Sequence, residues 1–553
     1  MRPFSSFQEG KLMHFDNAKD RFGSAHWESH QDVKRSGLMD GQGHRIGYLD
    51  GHAMTLSTDA PLLTVAGAGS GKMRDLLAST ILANPTQRMF VLDPRGEIVS
   101  VTLPAFASAG VPVWIWNPTA MHGLAQHRVQ PLDILRLDSP TFHADCKFIA
   151  ESLIAVNHSS NGRYFELRAR EWLENIMKAL VERDGYVSFT SLFRAIGLIE
   201  TDPNAWADML EFMLASSIDG VRRTAGEMLA KQQESPREFG GIVGELYASL
   251  NFLDDPMLQA SLEHADFSFS DMCNPTRPAS VFIVVPIEYV SLWGPLLRVM
   301  FTVQLLYKSR APSAPRITMI ADEAGQLGHF EALLRAFTFG RGAGVQAWAL
   351  FQDIGQIIRN FGQPALQGFM GSAAMRQFFG VRDHNTAKMI SEMLGHETLE
   401  FDDTLKQEAA RRERVNAAMA FMNGDDPFRA LNNMRSHRFG EEHRAKQSRP
   451  LMTPDEILAM PDNRQILFIS GHNLRPIYGE KLPYFTRREF AGKFLPNPFH
   501  PPYDSVLLRR AFGNRSVRVI TERVPPEFAH LPQYASGTWK YVEGFRPKLR
   551  RAS

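Results

Sequence analysis

Short apolar runs and helical spacings alternate along the first third of the chain. P-L-L-T-V-A at 61–66 reads as a β-strand, followed by a glycine-rich loop and by M-R-D-L-L-A-S-T-I-L-A with helical spacing. R-M-F-V-L-D-P-R-G-E (88–97) predicts a second strand ending in an acid, and P-V-W-I-W-N-P (112–118) a third. Such β-α-β units predict a parallel sheet. From about 140 to 272 the strand signals fade. Amphipathic helices such as R-E-W-L-E-N-I-M-K-A-L-V (170–181) and G-I-V-G-E-L-Y-A-S-L (241–250) take over, which predicts an all-α insertion. Strands return at 279–286, 316–323, 343–352, 375–380 and 464–471. The expected domains are a polar N-terminal arm (1–45), a first part of the parallel-sheet domain (46–138), an all-α insert (139–273), a second part of that domain (274–500) and an extended Pro/Arg-rich tail (501–553).

The loop at 66–73, A-G-A-G-S-G-K-M, nearly fits the phosphate-binding pattern G-x-x-x-x-G-K-[ST]. Small residues let backbone N–H groups turn inward on phosphate oxygens, and the following helix adds its dipole. The candidate ATP-binding residues are Gly67, Ala68, Gly69, Ser70, Gly71, Lys72 and Met73, with Lys72 placing a point charge on the β and γ phosphates. Two positions depart from the pattern. Ala66 replaces the first glycine, and Met73 lacks the hydroxyl that normally ligates Mg²⁺.

I-T-M-I-A-D-E-A (317–324) is a Walker B pattern. A buried parallel strand is apolar until its carboxyl end, where ligands bind. Asp322 is the candidate Mg²⁺ ligand, direct or through water, and Glu323 the candidate group that orients or deprotonates the attacking water. In F-G-R-G-A-G-V-Q (339–346), Arg341 is either a surface arginine in a turn or an arginine finger reaching a neighbouring subunit, a role worth ~10³–10⁵ in rate elsewhere. Gln352 ends the next strand, where a polar side chain can sense the γ-phosphate.

Composition narrows the choices. Lys plus Arg number 61 and Asp plus Glu 60, a net charge of +1, so any nucleic-acid contact has to come from a local patch or pore. Cys146 and Cys273 are the only cysteines and no zinc-ligand spacing occurs, which argues against a disulfide framework or structural zinc site. No apolar run approaches the ~18–20 residues of a spanning helix. The expectation is a cytoplasmic protein, peripheral to the inner membrane.

The order of these motifs resembles the TraG-like type IV secretion coupling proteins over roughly residues 60 to 480. V-L-D-P-R-G-E is similar to the family's L-D-P-K-G-E, and Q-P-L-D-I-L (130–135) to its turn into the helical domain. The Walker B segment, R-G-x-G and the glutamine beyond also correspond. D-H-N-T-A-K-M-I-S-E-M-L-G (383–395) and L-M-T-P-D-E-I-L-A-M-P (451–461) are similar to D-x-x-T-A-x-x-x-S-x-x-L-G and L-x-T-P-x-E-I-x-x-x-P. The resemblance implies an α/β fold: a P-loop, RecA-like nucleotide-binding domain interrupted by an all-α domain. It further implies a hexameric ring with ATP sites between subunits. The implied partners are single-stranded DNA with its relaxase, and components of the secretion channel. The family usually begins with transmembrane helices, which this sequence does not display, so a member docking on a membrane partner is expected. Two alternatives stay open: a degenerate ATPase acting as a substrate receptor or adaptor, and a soluble RecA-like DNA translocase of the FtsK or HerA type.

Overall fold

The computed structural model describes residues 22–156, 162–402, 404–422, 444–509 and 513–548. It divides into two compact units: one of residues 1–28 with 382–460, the other of 29–381 with 461–553.

The larger unit is built on a sheet whose described strands are β1 (His44–Leu49), β2 (His52–Leu56), β3 (Leu62–Ala66), β4 (Arg88–Asp93), β5 (Val113–Trp116), β6 (Ser280–Val284), β7 (Ile317–Ala321), β8 (Val345–Phe351), β9 (Met375–Phe379), β12 (Arg464–Ile469) and β13 (Ile477–Glu480). The spatial order is β2-β1-β13-β12-β9-β3-β8-β7-β4-β6-β5. From β9 to β5 all neighbours are parallel. From β9 to β2 they are antiparallel. Every residue of β3, β4, β6, β7 and β8 is buried. Helices on both faces explain why these strands are near-continuous apolar runs.

The hairpin β1–β2 opens the segment expected as the first part of this domain, with only His44 and Arg45 of β1 falling in the expected polar arm. The two strands are joined through Asp50 (φ 50°) and Gly51 (φ 75°), a two-residue turn whose left-handed pair suits the twist of a hairpin.

Between β5 and β6 the chain is helical. Its main helices are Phe142–Leu153, Arg163–Asp184, Phe189–Thr201, Pro203–Leu214, Asp219–Glu234 and Pro236–Leu250. Several starts are written in the sequence. Asp202 accepts the N–H groups of Asn204 and Ala205 ahead of Pro203, and Ser188 forms a capping box with Ser191. The long Arg163–Asp184 helix buries Trp172, Leu173, Ile176 and Met177 as the bundle's core.

The expected extended tail instead folds into a three-stranded antiparallel sheet, β14 (Ser505–Arg509), β15 (Asn514–Arg523) and β16 (Thr538–Val542). Its buried residues Val506, Leu508, Val517 and Val542 share a cluster with Val101 and Ala105 of the helix Glu97–Ala109. Single apolar residues alternating with Arg, Ser and Thr carry this sheet, so bulk composition concealed it.

The smaller unit holds the helix His384–Leu394 and a ribbon of β10 (His396–Asp402) with β11 (Arg444–Pro450), followed by a short helix Pro454–Leu458. Two motifs of the resemblance are its helix caps. Asp383 accepts the N–H of Thr386 at 2.8 Å, and Thr453 and Glu456 form a capping box. Ser391 Oγ donates to the Met452 carbonyl at 2.6 Å, tying the two motifs together.

Candidate nucleotide site

The central strands β3, β8 and β7 are neighbours, and their carboxyl ends bring the candidate residues together. β3 delivers the glycine loop. Gly69 (φ 71°) and Gly71 (φ 89°) take left-handed backbone positions that a side chain would strain. Ser70 Oγ donates to the Gly67 carbonyl at 2.6 Å, closing the loop on itself. The chain then enters a π turn, Lys72–Leu77, that runs into the helix Ala78–Ala83.

Lys72 Nζ lies 2.6 Å from Glu323 Oε1, with both side chains largely buried. Gln352, just past β8, donates from Nε2 to Glu323 Oε2 at 2.8 Å. Glu323 itself has φ 58°, a costly conformation for a non-glycine residue. Its N–H donates to Asp322 Oδ1 at 3.1 Å. The strand ends therefore hold Glu323 between the loop lysine and the glutamine, with Asp322 buried beneath. Burial raises the Asp322 carboxyl above its ordinary range, while the charge of Lys72 opposes the shift.

Arg341 is not part of this assembly. It sits in the glycine turn before β8, at the amino end of the strand whose carboxyl end carries Gln352. Seven residues of extended chain, about 20 Å, separate the two ends. There Arg341 Nε lies 3.0 Å from Asp59 Oδ1.

Met73 is engaged in apolar packing. Its side chain packs against the cluster that includes Tyr484, Phe490, Phe494 and Leu508. Among the described residues no group of three or more His, Cys, Asp or Glu is arranged to hold a metal ion. Mg²⁺ typically keeps several waters and needs one or two carboxylates plus substrate phosphates, so Asp322 fits such a site, with no hydroxyl from position 73.

Several residues at the site were not singled out from sequence. Asp93 ends β4 beside β7. Burial raises its carboxyl to about 7, although it accepts the Val99 N–H at 2.9 Å. The acid ending an apolar strand was its signal. Lys481 had none. It follows β13, is buried, and donates to the Ser70 carbonyl at 2.6 Å while lying 3.6 Å from Asp75. It also stacks over Phe379 with Nζ 4.1 Å from the ring centre. Gly380, next in the chain, leaves no room for a Cβ against Ser70. The loop is thus braced from beneath by the ends of β9 and β13.

The sequence model for the type IV secretory system conjugative DNA transfer family matches residues 26–503. The chain belongs to this family. Conjugal transfer protein TraG of Escherichia coli is 22% identical over 542 residues, covering 85% of this chain and 77% of that protein. The type IV secretion system-coupling protein VirD4 of Bartonella henselae is 23% identical over 454 residues, covering 80% of this chain and 65% of that one, so the chain spans about two-thirds of this relative. Among solved structures, plasmid coupling protein TrwB in complex with ADP and Mg²⁺ superposes with a TM-score of 0.59 at 18% identity, covering 83% of this chain and 94% of that one.

The resemblance to TraG-like coupling proteins read from the sequence is borne out, as is the α/β fold with its P-loop sheet. The β14–β16 sheet lies beyond the matched residues. Among the described residues, no helix is long and apolar enough to cross a membrane.

Proposed function

We propose that this coupling protein binds Mg²⁺–ATP on the loop Gly67–Met73 and hydrolyses it to drive conjugative substrates, single-stranded DNA with its relaxase, toward the secretion channel. The observation that carries the reading is Glu323 held between Lys72 and Gln352 at the carboxyl ends of β3, β7 and β8. Binding of the triphosphate draws Lys72 off Glu323 onto the β and γ oxygens. The freed carboxylate then orients and deprotonates water, while Gln352 moves with it and reports the γ-phosphate to β8. Asp322 would hold Mg²⁺ together with the phosphates, and the ion would supply neutralisation of charge on the transferred group. Arg341 cannot reach its own site from the opposite rim. It acts in trans on a second copy, which fits a closed ring such as a hexamer. Such a ring works at the inner face of the membrane against the channel.

The test is ATP turnover by the purified chain, with and without single-stranded DNA, beside Glu323→Gln and Lys72→Ala. DNA-stimulated turnover abolished by Glu323→Gln, with nucleotide affinity reduced by Lys72→Ala, is the expected result. The packing of Met73 favours a second reading, a receptor that holds nucleotide without cycling. Binding without turnover under all conditions selects it.

A further inference from the structure

The rim opposite the nucleotide site carries a built support for Arg341. Asp59 sits in the turn that leads into β3. Gln346, buried on β8, donates from Nε2 to the carbonyls on either side of it, Thr58 at 3.0 Å and Ala60 at 3.1 Å. The Gln346 oxygen is itself engaged, 2.6 Å from His44 Nε2 and 3.2 Å from Thr318 Oγ1. The turn is therefore fixed by buried amide bonds and presents Asp59 at a set position. Arg316 reinforces it, with Nη2 3.6 Å from Asp59 Oδ2. The arginine's own turn is anchored as well. Lys308, buried beneath it, lies 3.4 Å from the Ala343 carbonyl and fills the space where a Cβ on Gly344 would sit.

The pairing has a direction. Asp59 Oδ1 lies 3.0 Å from Nε, the stem side of the Arg341 guanidinium. Arginine engages phosphate oxygens through its planar fork of N–H groups. The Arg341 side chain is 67% exposed and Phe339, two residues before it, 76% exposed, so the arginine stands on open surface.

We infer that Asp59 is a positioning residue for Arg341, its ion pair on the Nε side of the guanidinium restraining the side chain for presentation to the nucleotide phosphates of a second copy of the chain. The inference rests on the proposed action of Arg341 in trans. An unrestrained arginine loses rotamer freedom each time it engages, whereas one already held by Nε loses less. Exposed ion pairs contribute little to stability, so the effect of Asp59 lies in the rate.

The experiment is a double-mutant cycle on DNA-stimulated turnover by the full chain: Asp59→Ala, Arg341→Ala and the two together. Asp59→Ala is expected to lower kcat about fivefold with KM for ATP and the melting temperature unchanged, and Asp59→Glu to recover part of the loss. In the Arg341→Ala background, Asp59→Ala is expected to add nothing. Where turnover is too slow to resolve, retention of ADP with aluminium fluoride replaces the rate in the same cycle. Full activity of Asp59→Ala beside an impaired Arg341→Ala overturns the inference, and so does a multiplicative loss in the double variant. Wild-type activity of Arg341→Ala removes instead the trans reading on which it rests.

Discussion

Lys72 Nζ and Glu323 Oε1 are 2.6 Å apart, so the two groups that a triphosphate needs separated are paired with each other. Phosphate binding must compete with this carboxylate for the lysine. A glutamine at 323 removes that competition and one negative charge from the pocket. Glu323→Gln is therefore expected to bind ATP several-fold more tightly while losing about 10²-fold or more in turnover. Titration of a fluorescent ATP analogue together with steady-state turnover checks both. Weaker binding by Glu323→Gln means the pair supports the pocket rather than competing with nucleotide.

Met73 marks the departure from the usual loop, and its surroundings explain it. The side chain packs against the cluster that contains Tyr484, Phe490 and Phe494, joining the first turn after the loop to a core shared with the segment that follows β13. Restoring a hydroxyl by Met73→Thr is then expected to cost about 1–2 kcal/mol of stability through lost packing. It leaves turnover within about twofold of wild type. Thermal unfolding and turnover of one preparation separate the two effects. A large gain in turnover means instead that position 73 faces the metal.

Much of the site was legible because parallel strands are buried on both faces. P-L-L-T-V-A and I-T-M-I-A are uncharged, mostly apolar runs, so the charged residues beyond their carboxyl ends stand out. The rest depended on distance. Lys481 braces the loop from 411 residues away through the Ser70 carbonyl, and nothing around it in sequence marks it. Gln346 was visible in its motif, yet its link to Thr58 and Ala60 exists only because β8 lies beside β3. Arg341 was visible in its glycine motif, but which rim it occupies required the strand order. The β1–β2 hairpin carried an Asp-Gly signal between the short apolar stretches that hold Ile46, Tyr48 and Leu49 on one side and Ala53, Met54 and Leu56 on the other, a signal not singled out from sequence.

The strand β5 ends the large sheet, and an open edge invites pairing with other chains. Gln533 closes it. Its Oε1 accepts the Val113 N–H at 2.8 Å and its Nε2 donates to the Val111 carbonyl at 3.0 Å, as a neighbouring peptide would. His127 closes the next step, accepting the Ile115 N–H at Nδ1 at 2.9 Å. Burial lowers its pKa, which keeps that nitrogen free to accept. Gln533→Ala leaves two buried backbone groups unpaired and is expected to cost about 1–3 kcal/mol. The measurement is thermal unfolding with light scattering, and the expected result is a lower midpoint with earlier aggregation. An unchanged midpoint means that water replaces the amide and the edge needs no closure.

Asp93 supplies a pH test of the buried acid beside the Walker B strand. Burial raises its pKa from 3.8 to about 7, so the folded chain holds a proton that the unfolded chain releases. Stability from this group is complete below about pH 4 and is lost as pH rises through 7. Asn at this position never ionises and still offers an oxygen to the Val99 N–H. The melting temperature of Asp93→Asn relative to wild type is therefore expected to climb between pH 5 and 8, then level off. A difference that stays flat across that range means Asp93 is already ionised in the folded protein, with the start of the Glu97–Ala109 helix compensating its charge through the Val99 N–H.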